Sequence, residues 1–198
     1  MGIEHLRAAC KQRLEALTKP LAALLLRHNV TPNAVTWLAL VLAALSAVLV
    51  LYERPVLGGL LFLVASAFDL LDGAVARLGQ LESRLGAFLD STLDRVSEGL
   101  LLAAMAAVFA RQEMGLAAAL CVLVLLTAML VSYARARAEA LGTDCTVGIA
   151  TRAERVILLV FGLVSGFLVE ALALLLVLST ITVVQRLRHT FRQLAASP

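Results

Sequence analysis

The 198-residue sequence is poor in cysteine, proline and charge. Its three cysteines, Cys10, Cys121 and Cys145, stand far apart and form no CxxC pair, which argues against a disulfide framework or a zinc site. Four prolines and twelve glycines leave no collagen-like or low-complexity segment. Charged residues make up only 16% of the chain, where a soluble domain carries roughly a quarter. Residues 1–20 lack the uninterrupted apolar core of a signal peptide, because Glu4, Arg7, Lys11, Arg13, Glu15 and Lys19 interrupt it. What fills the chain instead is apolar. At 61% hydrophobic residues and a mean hydropathy of +0.93, the sequence belongs in lipid. The net charge of +3 is modest and suggests no nucleic-acid partner.

A membrane-spanning helix needs about 20 mostly apolar residues. After the helix-start signal Thr31-Pro32-Asn33, spans are expected from about Ala34 to Tyr52, Val56 to Leu78 and Gly86 to Ala110. A fourth runs from about Gly115 to the basic residues Arg135 and Arg137, and a polar stretch over residues 139–154 follows. A short fifth span, about Val156 to Val169, is expected to start further back, among residues 150–155. Glu170 marks the last turn, and a sixth span ends near Val184. With six spans, only Arg54 and Arg111 of the seventeen Lys and Arg residues face away from the termini. Basic residues gather on the cytoplasmic face, so both termini are expected there. Upstream, Ile3, Leu6, Cys10, Leu14, Leu17, Leu21 and Leu24 recur every three or four residues, an apolar stripe on a basic helix suited to the headgroup layer. The expected fold is therefore an all-α integral membrane protein. Residues 1–30 form an amphipathic interfacial helix and residues 31–198 a six-helix transmembrane catalytic domain.

Charges inside spans are costly, so they are functional candidates by default. Asp69 and Asp72 fall in the second half of span 2, Asp90 and Asp94 in the first half of span 3. These spans are antiparallel, and the i,i+3 and i,i+4 spacings put each pair on one helix face. At about 1.5 Å of rise per residue, Asp72 and Asp90 lie at similar shallow depths, with Asp69 and Asp94 one turn deeper. Four converging carboxylates would repel one another, and a divalent cation removes the conflict. An oxygen-only donor set suits Mg²⁺, Mn²⁺ or Ca²⁺. Gly73, Ala76 and Gly86 leave room beside the carboxylates, and Arg77 offers a fork for phosphate oxygens. Metal, room and a phosphate clamp together describe phosphoryl transfer.

Residues 69–94 read Asp-x2-Asp-Gly-x2-Ala-Arg-x8-Gly-x3-Asp-x3-Asp. This string resembles, at every fixed position, the signature of the CDP-alcohol phosphotransferases, and the six-span frame agrees with it. The resemblance implies that Asp69, Asp72, Asp90 and Asp94 bind two metal ions, usually Mg²⁺ or Mn²⁺. It implies that Gly73, Ala76 and Gly86 line a cytidine diphosphate pocket, that Arg77 contacts its phosphates, and that Asp94 is the general base. Thr31-Pro32-Asn33 is similar to the family segment near the nucleotide. The implied reaction joins a CDP-diacylglycerol-type lipid to an alcohol, releases CMP, and takes place at the cytoplasmic face of the cell membrane. A homodimer among membrane lipids is the family expectation.

The acceptor is read from the basic residues near the cytoplasmic ends of spans 4 to 6. The stretches Ser132–Glu139, Gly148–Arg155 and Gly86–Arg95 resemble the inositol-phosphate branch of the family, although Thr151 and Ala153 depart from it. That resemblance implies an acceptor such as inositol 1-phosphate, a phosphorylated polyol, held by Arg135, Arg155 and Arg186. Arg152 belongs to the same basic set. Glycerol 3-phosphate is the alternative acceptor. A cation transporter would also use carboxylates in spans, but the spacing of Gly73, Ala76, Arg77 and Gly86 does not serve an ion path. Glu98, one turn beyond Asp94, either tunes the base or pairs with an arginine.

Overall fold

The computed structural model describes residues 18–196, and among these there are helices and no strands. Residues 18–27 are helical (α1), followed by α2 (Pro32–Leu51), α3 (Pro55–Gly79), α4 (Arg84–Arg111), α5 (Gly115–Ala140), α6 (Arg152–Ser165) and α7 (Leu168–Ala196). The expected spans match α2 to α6 closely, and the fifth does begin further back, at Arg152. Two boundaries differ. Helix α7 continues to Ala196, past the expected end of the sixth span near Val184. The last turn falls at Gly166, whose φ of +82° closes α6, so Glu170 lies in the first turn of α7.

Local chemistry explains the ends. Thr31 accepts the Ala34 N–H at 3.3 Å on its hydroxyl, with Pro32 opening α2, and Ser83 accepts the Gly86 N–H at 3.0 Å ahead of α4. Four helices end alike. Asn29, Glu53, Gln80 and Glu113 all have positive φ, and the next residue's N–H reaches back to Leu25, Leu49, Ala76 and Phe109 carbonyls at 2.9–3.0 Å. Each is the six-to-one closure of a helix end without the usual glycine.

α2, α3, α5 and α7 are long and apolar enough to cross a membrane. Helix α4 has the length, 28 residues, but carries Asp90, Asp94, Arg95 and Glu98 in close succession. With 14 residues, α6 is about 21 Å long, short of a hydrocarbon core of about 30 Å. Four of the six expected spans are therefore met on length and composition. The amphipathic stripe at residues 1–17 lies outside the described residues.

The chain forms two compact units. The first takes residues up to Ala43 and Val64–Ser97. Its core joins α1 to α3, where Ala22, Ala74 and Val75 are buried and Leu25 and Leu26 pack against them. Leu21 and Leu24 of the expected stripe are exposed. The second unit takes Ala44–Leu63 and the chain from Glu98 onward. There α5 and α6 both pack on α7, around Val124, Val131, Leu159, Leu163, Leu172 and Leu175. A Cβ at Gly162 would come within 2.8 Å of the Ala171 Cβ, so the small-residue spacing of Gly162 and Gly166 serves the α6–α7 corner.

Candidate active site

In the first unit, α3 brings Asp69 and Asp72, and α4 brings Asp90, to one place. One carboxylate oxygen of each lies within 4.8 Å of the others. Such a cluster of oxygen donors, with no His or Cys, fits a hard divalent cation. Asp94 is buried one turn further along α4, outside this trio, with the Arg95 Nη1 at 3.9 Å from its Oδ2.

Beside the trio lies an open cleft of about 170 Å³. Its walls include Asp72, Gly73, Ala76 and Arg77 of α3, Pro32, Asn33 and Thr36 of α2, and Gly86 and Asp90 of α4. Six of the seven residues expected at the nucleotide are thus together. Thr31 is not among them; it caps α2 instead. The first turns of α2 and α4 both face the cleft, and helix N-termini carry partial positive charge suited to phosphate. A Cβ at Gly73 would lie 3.3 Å from Arg77 Nη1, so the missing side chain lets the guanidinium fold over the helix. A Cβ at Gly86 would meet Ser83 Oγ at 3.1 Å and Asn33 Oδ1 at 3.4 Å.

Two wall residues were not legible in the sequence. Thr36 is buried and donates its hydroxyl hydrogen to Asp72 Oδ2 at 2.7 Å, which orients that carboxylate. Its one signal is a polar side chain a turn past Pro32 in an apolar helix, which names no partner. Ser83, in the α3–α4 link, joins the wall through its cap on Gly86.

The expected acceptor arginines all lie in the second unit. Arg155 donates from Nε and Nη2 to the two oxygens of Glu98, both at 2.7 Å. The alternatives for Glu98 therefore resolve to an ion pair with an arginine. Arg186 donates to the carbonyls of Val147, at 2.9 Å, and Val131. Arg135 pairs with Glu139 at 2.7 Å on an exposed turn, and Arg152 is the first residue of α6. His189 is half-buried, with Nε2 at 3.1 Å from the Asp144 carbonyl oxygen.

The comparisons with known proteins agree with this geometry. The family model described as CDP-alcohol phosphatidyltransferase matches residues 29–185. An archaetidylinositol phosphate synthase of Methanothermobacter thermautotrophicus is 42% identical over 143 residues, 69% of this chain and 71% of that protein. A phosphatidylinositol phosphate synthase of Mycobacteroides abscessus is 36% identical over 193 residues, 92% of this chain and 86% of that protein. The crystal structure of Mycobacterium tuberculosis phosphatidylinositol phosphate synthase with CDP-DAG bound superposes with a TM-score of 0.82 at 33% identity, covering 89% of this chain and 94% of that one. The same enzyme in complex with manganese and citrate gives 0.79 at 34% identity, covering 88% of each chain. The carboxylate trio, the cleft beside it, the apolar helices and these matches lead to one conclusion: the chain is a multi-pass membrane protein of the CDP-alcohol phosphatidyltransferase family.

Proposed function

We propose that this transferase moves a phosphatidyl-type group from CDP-diacylglycerol, or a similar CDP-activated lipid, to inositol 1-phosphate and releases CMP. The observation that carries the acceptor is the set of Arg135, Arg152, Arg155 and Arg186 in one unit, more guanidinium than an uncharged alcohol needs. The names of the relatives, which are inositol phosphate synthases, point the same way.

Asp69, Asp72 and Asp90 would hold the divalent ions, with Asp94 completing a site for two, Mg²⁺ or Mn²⁺. When bound, the metal neutralises diphosphate charge and stabilises CMP as a leaving group. The cleft residues Pro32, Asn33, Gly73, Ala76 and Gly86 shape the nucleotide site, Thr31 holds the start of α2 beside it, and Arg77 holds the phosphates. The acceptor hydroxyl oxygen bonds to the lipid-side phosphorus as the bond from that phosphorus to the bridging oxygen breaks. Asp94 takes the hydroxyl proton. Thr36, by holding Asp72, keeps that carboxylate in one orientation.

The reading includes six spans, adding α4 and α6 to the four apolar helices, with both termini cytoplasmic. The partition of basic residues supports it, since fifteen of seventeen then lie on one side. Residues 1–30 form the interfacial segment, for which the exposed Leu21 and Leu24 speak, and residues 31–198 the catalytic domain of a homodimer. The test is product identification by mass spectrometry after incubation with CDP-diacylglycerol, Mg²⁺ and either inositol 1-phosphate or glycerol 3-phosphate. Phosphatidylinositol phosphate is the expected product. Product from glycerol 3-phosphate alone would overturn the acceptor while leaving the family intact.

A further inference from the structure

In the second unit the polar loop between α5 and α6 is tied down from several sides. Thr182 of α7 accepts the N–H groups of Ile149 and Ala150 at 3.3 and 2.9 Å. Arg186 donates to the Val147 carbonyl at 2.9 Å. Between these points, Gly148 has φ +137°, and a Cβ there would lie 2.5 Å from Thr182 Cγ2, so the loop is seated directly on α7. From α6, Arg155 Nη1 reaches the Ala150 carbonyl at 3.5 Å.

Two buried guanidinium groups therefore flank this loop, in different electrostatic states. Arg155 is 3% exposed and grips both oxygens of Glu98, itself 4% exposed, so its charge is neutralised in place. Arg186 is 4% exposed and donates hydrogen bonds to the main-chain carbonyls of Val147 and Val131. These carbonyls take two of its donors and no carboxylate forms an ion pair with it among the described residues, and a buried guanidinium without an ion-pair partner attracts an anion. Arg135, Arg155 and Glu139 lie within electrostatic reach of Arg186, with Glu139 itself paired to Arg135, and Arg155 lies within reach of Arg152.

We propose that Glu98 is a positioning residue for the acceptor: its buried two-point ion pair with Arg155 locks the α6 end of the 147–151 loop and cancels one charge. The guanidinium of Arg186, which no carboxylate pairs among the described residues, is then left to draw the phosphate. Glu98 touches no substrate in this account; it acts through Arg155. A fork held at two points has one orientation, whereas a guanidinium without its carboxylate would swing and take the Ala150 carbonyl contact with it. This rests on the proposed reading that the basic cluster receives the acceptor phosphate.

The test is steady-state kinetics of Glu98→Gln in the full-length protein, varying each substrate separately. The amide keeps the volume and one acceptor oxygen but loses the charge. The expected result is a KM for inositol 1-phosphate raised about tenfold or more, with the KM for CDP-diacylglycerol within about twofold of wild type. A merely structural pair would move both constants together, or neither in folded protein, and either outcome overturns the proposal. Should Glu98→Gln fail to fold, Glu98→Asp keeps the charge with a shorter reach. It is expected to raise the acceptor KM severalfold and spare the lipid KM, and equal shifts or none would again count against the role. Wild type is assayed first. If it uses glycerol 3-phosphate instead, the acceptor identity fails but the comparison runs unchanged with that phosphate. If it uses only an alcohol without phosphate, both readings fail.

Discussion

Arg77 and Gly73 show how a single missing side chain shapes the cleft. The guanidinium folds back along α3 because nothing stands at Gly73, and the alanine methyl would sit 3.3 Å from Nη1. Gly73→Ala is therefore expected to displace the fork from the cleft and weaken a charge-assisted contact of about 1.5–3 kcal/mol, a loss of about tenfold or more in kcat/KM. Measured with CDP-diacylglycerol as the varied substrate, an unchanged kcat/KM would remove Arg77 from phosphate binding. The Asp and Gly positions were legible because their spacing forms a dense local string on two sequence-adjacent helices. The hydroxyl of Thr36 and the partner of Glu98 were not, for they depend on side chains 36 and 57 residues apart. No local periodicity reports such contacts.

At the scale of elements, hydrophobic runs and turn chemistry located the helices well. Pro32, Pro55 and the charged links at residues 53–54 and 111–113 bracket them, and α2 to α4 start and end within about two residues of expectation, while α5 starts as expected and runs on to Ala140. The missed boundary at α6 and α7 has a physical cause. Gly166 adopts the left-handed conformation that ends a helix, whereas Glu170 is a helix-compatible acid well placed in a first turn. The four ends closed by Asn29, Glu53, Gln80 and Glu113 have a consequence for stability. A side chain with φ near +60° is disfavoured by about 1 kcal/mol relative to glycine. Glu113→Gly, at the end of α4, is expected to raise the thermal midpoint in detergent by about 1–3 °C. Scanning calorimetry or tryptophan fluorescence reads this, and a lower midpoint would show that the Glu113 side chain contributes more than its strain costs.

For the molecule as a whole, the apolar composition and the asymmetric placement of Arg and Lys carry the membrane assignment, while the charges of α4 are what keep that helix from reading as a simple span. Those charges gather with polar groups of the protein: Asp90 comes together with Asp69 and Asp72, Asp94 follows one turn on, and Glu98 pairs with Arg155. A helix that would be expensive in lipid by itself is tolerated when its polar groups are used inside the protein. The proposed function has this carboxylate cluster run a metal-dependent transfer. It is tested most directly by CMP release from CDP-diacylglycerol and inositol 1-phosphate, comparing wild type with Asp94→Asn, each with Mg²⁺ and after EDTA. Release by wild type with Mg²⁺ is expected, with loss on chelation, recovery on re-adding metal, and release at least about 100-fold lower in Asp94→Asn. CMP release that survives EDTA, or near-normal turnover by Asp94→Asn, would contradict it.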